Sequence, residues 1–219
     1  MSLEAPSKTT APAPPSFQVF LLSPAKLSGR RAAMILDPRA TFGLARQLRQ
    51  AEGAPLGEVF SFVSGLYFRG KRLYAEAFGR PPEDLAVGLV ISPGEGLRPL
   101  GERVTVDRLR AWAEVEVDAK NDSFTRPLTR DAERLERAHG SQTRFVLLGS
   151  VATTKYVRPL ATVFGDHLLF PTDFVGRGDM SRGALMLKAV RLHEELAYGE
   201  VEGARLSSAA KSASRHRHR

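Results

Sequence analysis

Two residues stand where chemistry is easiest to imagine, Lys26 and Glu95. Lys26 lies in the segment Ser23-Pro24-Ala25-Lys26-Leu27-Ser28-Gly29-Arg30-Arg31. Its hydroxyls, lysine, glycine and two arginines can cradle an anion through backbone N–H groups and cationic tips. A lysine desolvated at such a place has a lowered pKa and can act as nucleophile or base. Glu95 lies between two glycines in Ser92-Pro93-Gly94-Glu95-Gly96-Leu97-Arg98-Pro99. Flanking glycines let the backbone approach a ligand closely, and the carboxylate can then serve as acid, base or hydrogen-bond acceptor. The plain alternatives are a solvated basic loop and a tight turn with an exposed carboxylate. Lys26 and Glu95 are the candidate catalytic pair. Ser23, Ser28, Arg30, Tyr67, Lys71, Gly94, Arg98, Ser150 and Tyr156 are the candidate ligand-binding residues.

Other chemistries find less support. The chain has no cysteine, which removes disulfides, thiolate zinc sites and a cysteine nucleophile. His139, His167 and His193 lack metal-ligand spacing, and the loop at Lys26 lacks the spacing of a P-loop. No serine sits in a nucleophile elbow. Glu114, Glu116 and Asp118, followed by Asn121 and Asp122, can bind a hard metal or do acid–base work. Acidic stretches of this kind are mostly solvated faces, and that is the plainer reading. Gly149-Ser150 with Thr153, Thr154, Lys155 and Tyr156 reads as a phosphate-binding strand end or as ordinary helix capping. Asp179 reads as a helix cap. No metal and no cofactor is expected.

These residues need elements to hold them. Phe17–Leu22 (FQVFLL) reads as a buried strand ending at Ser23-Pro24. Glu58–Val63, Leu85–Ile91, Arg144–Leu148 and His167–Phe170 read as further strands. Asp37-Pro38 reads as a cap and first-turn proline opening a helix through Gln50. Leu66–Phe78 has helical period, with Leu66, Leu73 and Ala77 on one side. Val106–Val117, Pro127–His139, Thr153–Leu160 and Asp179–Ala197 complete the helices. Strands separated by helices imply right-handed crossovers. The expected fold is α/β, a mainly parallel sheet of about five strands with helices on both faces, in a single domain. Ligands of such sheets bind beyond the carboxyl ends of the strands. The segments there are polar and glycine-rich: SPAKLSGRR, SGLYFRGK, SPGEGLRPLGER, GSVATTKY and PTDFVGRGDMSRG. They are expected to meet at one end of the sheet.

At these segments the chain resembles the YaaA-like proteins, the bacterial peroxide-stress proteins. A strand running straight into Ser-Pro-Ala-Lys, here LLSPAK, is shared in wording and position. YFRGKRLY is similar to the family's Phe-Lys-Gly-Asp-x-Tyr segment, and GEGLRPLGERV to its Gly-x-Leu-Arg-Pro-Leu turn. VLLGSVATTKYVRPL is similar to its Leu-Ala-Ser-x-x-Tyr-x-x-x-Val. The resemblance spans most of the body. A wider set of nucleic-acid-modification domains, including the archaeosine synthase core, is also similar; a Cys-x-Lys-x-Lys segment there replaces Ser-Pro-Ala-Lys. The resemblance implies an α/β domain associated with nucleic acid and with stress response.

Residues 1–16 are rich in Pro, Ala, Ser and Thr and read as a flexible arm. Residues 17–205 form the expected α/β domain, and 206–219 a disordered basic tail. Lys211, Arg215, Arg217 and Arg219 in that tail supply half of the net charge of +8. A basic balance favours polyanions, so DNA is the expected partner, with a phosphate-bearing or nucleobase ligand in the pocket. No apolar run reaches the roughly 18 residues that span a bilayer. The N-terminus does not read as a secretory signal, so no membrane partner and a cytoplasmic location are expected. Three functions remain open. One is a nucleic-acid-associated protein with a base- or nucleotide-sized pocket, acting on modified or damaged DNA by glycosylase-type or base-modifying chemistry. Another is a non-catalytic DNA-binding stress-protection module. The last is a small-molecule nucleoside-modifying enzyme.

Overall fold

The structure is a computed structural model that describes residues 15–201 apart from Ser141 and Thr153. The tail at 206–219, and the arm at 1–16 except its last two residues, lie outside the described residues. In chain order the elements are β1 (Phe17–Leu22), α1 (Arg30–Leu36), α2 (Gly43–Leu48), β2 (Ala54–Pro55), α3 (Leu56–Ser64) and α4 (Leu66–Phe78). Then come β3 (Gly88–Ser92), β4 (Gly96–Pro99), β5 (Arg103–Val104), α5 (Val106–Ala113) and α6 (Asp122–His139). The chain continues through β6 (Thr143–Leu148), α7 (Thr154–Phe164), β7 (Leu168–Pro171), α8 (Asp179–Leu192) and β8 (Tyr198–Glu200).

Six strands form one sheet in the order β4-β3-β1-β6-β7-β8. β3, β1, β6 and β7 are parallel, and β4 and β8 close the two edges antiparallel. β2 and β5 pair separately as a short antiparallel ribbon. Side chains alternate across a strand, so β1 serves two cores. Phe20 and Leu22 pack under α1 to α5 and α8, while Val19 and Leu21 pack under α6 and α7. The fold is therefore mixed α/β with a mostly parallel sheet covered on both faces. From β1 the chain crosses to β3 on the first face; from β6 it crosses to β7 on the second. Crossovers of one hand that leave in opposite directions must lie on opposite faces. The direction of winding thus reverses between β1 and β6.

Several sequence expectations are corrected. Glu58–Val63 is helix, not strand. It is a short, mostly apolar run, but with Leu56 included its apolar residues fall at Leu56, Val59, Phe60 and Val63, the spacing of a helical stripe, and all four are buried. Asp37-Pro38 ends a helix instead of opening one. Asp37 has an extended ψ of 122° after α1, as a residue before proline prefers, and its carboxylate accepts from the Arg39 N–H at 2.9 Å. α8 stops at Leu192 because His193 adopts a left-handed φ of 54°. The buried face of α4 is Tyr67, Phe68, Gly70, Lys71, Tyr74 and Ala75, not Leu66, Leu73 and Ala77. A lysine and a glycine lie on that face, and hydrophobicity alone discards both. The sheet has six strands, because the antiparallel edges β4 and β8 are too short to show in sequence.

The amino end of β1 is held by a polar network. Buried Gln18 donates to Phe78 O at 3.0 Å and to the Glu195 carboxylate. Tyr198 donates to the same carboxylate at 2.9 Å, and its hydroxyl meets that of Tyr74 at 2.8 Å. This network ties the segment after α8 back to the sheet, at the end of β1 away from Ser23.

Candidate functional site

β1 and β6 run in register from Phe17↔Thr143 to Leu22↔Leu148, so their carboxyl ends are level. Ser23 continues past β1 and donates its N–H to Leu148 O at 3.2 Å. Gly149 follows β6. A Cβ there would lie 3.1 Å from the Ser23 Cβ, so glycine lets the two loops close together. In doubly wound sheets, ligands bind where the winding reverses. A cavity of about 510 Å³ opens at this place. All five glycine-rich segments contribute to its lining: Ser23 to Ser28, Ser64 and Tyr67, Pro93, Ser150 with Lys155 and Tyr156, and Asp179. Trp112, Ala113, Val115 and Val117 complete the wall.

Behind the wall lies a buried lysine. Lys71 is 1% exposed. Its Nζ donates to Ser23 O at 2.8 Å and to Ser23 Oγ at 2.6 Å. It sits 4.0 Å from the centre of the Tyr67 ring, where the π face attracts an ammonium. Burial lowers its pKa to about 7, with Asp179 opposing the shift and Arg182 adding to it. Burial raises Tyr67 to about 12 and moves Tyr156 upward as well. Tyr67 is 7% exposed and its hydroxyl has no hydrogen-bond partner among the described residues. An unpaired buried hydroxyl costs about 1–3 kcal/mol unless something satisfies it. The Ser23 and Arg182 side chains are the polar groups that act on it.

The other candidates distribute as follows. Ser23, Lys26, Ser28, Tyr67, Ser150 and Tyr156 line the cavity; Lys71 backs Ser23. Lys26 is exposed, so the desolvated lysine at the strand end is Lys71 and not Lys26. Arg30 begins α1 and is exposed, outside the lining. Gly94 has a φ of 135°, and a Cβ there would meet Val115, itself in the wall. Arg98 turns to Glu95 O at 2.6 Å and to Asp131 at 3.6 Å.

Glu95 pairs with Arg108 and Trp112, not with Lys26. Arg108 Nε donates to both carboxylate oxygens, at 3.0 and 2.9 Å, and Trp112 Nε1 donates at 2.9 Å. Arg108 holds the Glu95 carboxyl below its usual pKa, burial opposes this, and Trp112 supports it. The bracket positions Trp112, whose ring forms part of the wall. Glu95→Ala is expected to lower stability by roughly 1–2 kcal/mol, charged hydrogen bonds being discounted for partial exposure. Trp112 is the only tryptophan, so the variant should also shift the emission maximum to the red. A lowered carboxyl pKa makes this stability present above the usual glutamate range near pH 4.5, and lost as pH falls further. An unchanged emission spectrum in the folded variant would refute the bracket.

The acidic stretch does not gather. Asp118 accepts from the Lys120 N–H at 2.9 Å and Asn121 caps α6 through the Ser123 N–H at 3.1 Å. Among the described residues no group of three His, Cys, Asp or Glu is placed to hold a metal. Trp112, Ser64 and Asp179 were not among the sequence candidates, and Lys155 was named only as part of the strand-end motif with Ser150 and Tyr156. Lys155 had a readable signal, lying beside Tyr156 in a strand-end segment. Trp112 had none, because only the Glu95 bracket turns it inward. Compared with protein-family models, curated proteins and solved structures, the chain has no match.

Proposed function

We propose that this chain is a cytoplasmic, nucleic-acid-associated protein whose cavity receives one nucleobase or nucleotide, and that it acts on modified or damaged DNA as a single α/β unit. The observation that carries the reading is the cavity itself. It stands at the reversal of a doubly wound sheet, and its volume of about 510 Å³ suits a nucleotide. Tyr67, Trp112 and Tyr156 offer aromatic surface for a base lifted out of its stack. Lys26 and Lys155 offer two cations to flanking phosphates. The net charge of +8 favours the same partner.

The test titrates the full-length protein with mononucleotides and with short single- and double-stranded DNA carrying a mismatched or abasic position. We expect mononucleotides to bind, and DNA to bind more tightly with an affinity that falls steeply with salt. The Lys26→Ala and Lys155→Ala substitutions should each reduce the salt slope by about one unit. Binding of mononucleotides but of no DNA would replace this reading with a nucleoside-modifying enzyme. Binding of neither would overturn it.

A further inference from the structure

We propose that Ser23 and Lys71 form a nucleophile–base dyad that cleaves a carboxylic ester held in the cavity. The proposal rests on the cavity and not on the ligand proposed above. Ser23 lines the cavity although it is only 5% exposed, and Lys71 Nζ lies 2.6 Å from its Oγ. This is the separation a base needs to take the hydroxyl proton. Ser–Lys pairs of this kind replace the histidine of a triad on unrelated folds.

The surroundings support a neutral amine. Lys71 has no carboxylate within salt-bridge distance among the described residues. The charged groups facing it come from α8: Asp179, which favours the ammonium, and Arg182, which disfavours it. Arg182 is itself turned to Asp179 at 3.6 Å and to Phe174 O at 3.2 Å. Tyr67 on α4 and Tyr156 on α7 are neutral phenols near neutral pH, and burial moves their ionisation further up. With Lys71 as donor, Ser23 Oγ gives its one proton to Leu148 O at 3.3 Å; when the amine is neutral the hydroxyl turns that proton to Nζ, the direction the base step needs. A nucleophile fixed between β1 and β6 meets its substrate at small entropic cost. The N–H groups of Ala25 to Ser28, in the lining loop, donate to no backbone carbonyl among the described residues. An oxyanion formed at Ser23 needs donors of this kind, and these are the N–H groups of the loop that carries the nucleophile.

The reaction balances with water as the only co-reactant. The Oγ–H proton passes to the neutral Lys71 amine as Oγ bonds to the ester carbon. The carbonyl electron pair moves to oxygen, then returns and expels the alkoxide, which takes the proton from the Lys71 ammonium. Water then attacks the acyl-Ser23 ester. Lys71 takes the water's proton and returns it to Oγ, releasing the carboxylic acid.

The experiment exposes the full-length protein to a fluorophosphonate probe, with intact mass and peptide mapping as the readout. Oγ–P forms, P–F breaks, fluoride leaves and the proton goes to Lys71. Labelling is expected at Ser23, with a rate that rises through about pH 7 and then levels as Lys71 becomes neutral. Ser23→Ala should lose the label while keeping its circular dichroism spectrum. Lys71→Met should slow labelling by about 10²–10⁴-fold. The wild-type pH profile answers the question even if Lys71→Met fails to fold. Label on another residue, no label, or a rate that climbs with pH without levelling would overturn the dyad. Nucleotide binding measured on the same samples keeps this outcome separate from the function proposed above.

Discussion

Raising the pH from 7 to 9 is expected to stabilise the wild-type protein by about 2 kcal/mol more than it stabilises Lys71→Met. In the unfolded chain Lys71 keeps its usual pKa of 10.5 and is charged throughout this range. In the folded protein burial brings it to about 7. Between these values the unfolded state holds a proton that the folded state has released, so folding becomes more favourable as pH rises. Below pH 7 the lysine is charged in both states and the full cost of burying the ammonium is present. Across the whole span that cost is on the order of 5 kcal/mol. Above pH 10 the buried tyrosines work the other way. Tyr67 and Tyr156 stay protonated in the fold after they ionise in the unfolded chain, and stability then declines. Denaturant midpoints for both proteins at pH 6, 7, 8 and 9 measure the effect. A difference that does not change with pH would mean that Lys71 stays charged, and would remove the base from the proposed dyad.

Gly183→Val is expected to unfold the protein or to lower its melting temperature sharply, and Gly183→Ala to destabilise it by about 1–3 kcal/mol. α4 and α8 touch through their backbones at Gly70 and Gly183. A Cβ on Gly183 would stand 2.9 Å from Leu66 O and 2.9 Å from the Tyr67 Cα. Both obstacles are main chain, so neither can rotate away; the helices must separate. α4 carries Tyr67 and Lys71, and α8 carries Asp179 and Arg182, so separation also opens the cavity wall. Thermal melts should show a loss of ~2–4 °C per kcal/mol for a chain of this size. Gly101→Ala is the control, because nothing lies within 4 Å of its would-be Cβ. Equal melting of Gly183→Ala and the wild type would show that the helices do not meet here.

The parts of the fold that could be read locally were the parts with one-dimensional signals. Phe17–Leu22 and Arg144–Leu148 are short, mostly apolar runs closed by Ser-Pro and by glycine, and both are central strands. Leu66–Phe78 has clear helical period and is α4. The EVFSFV stretch of α3 failed because six residues with mixed spacing fit both periods. Its packing against α4 and α1 decides for helix. Edge strands β4 and β8 span 4 and 3 residues, too short for a period to show.

The site divides in the same way. Sequence alone determined that five polar, glycine-rich segments follow strands or open helices, and their composition marked Ser23, Lys26, Tyr67, Ser150 and Tyr156. All of these line the cavity. Only the tertiary structure decided which lysine is buried and what each charge meets. Lys26 and Lys71 carry the same side chain near equally polar neighbours in sequence. Lys71 is desolvated because α8 packs over it through Gly183 and Gly70, while Lys26 lies on an open loop. Glu95 was legible as a carboxylate held by a glycine turn, but its partners Arg108 and Trp112 are 13 and 17 residues away and reach it through α5. Burial and pairing are sums over neighbours that the chain brings together only when the sheet winds in both directions from β1, and that is why the chemistry of Ser23 could be placed only in three dimensions.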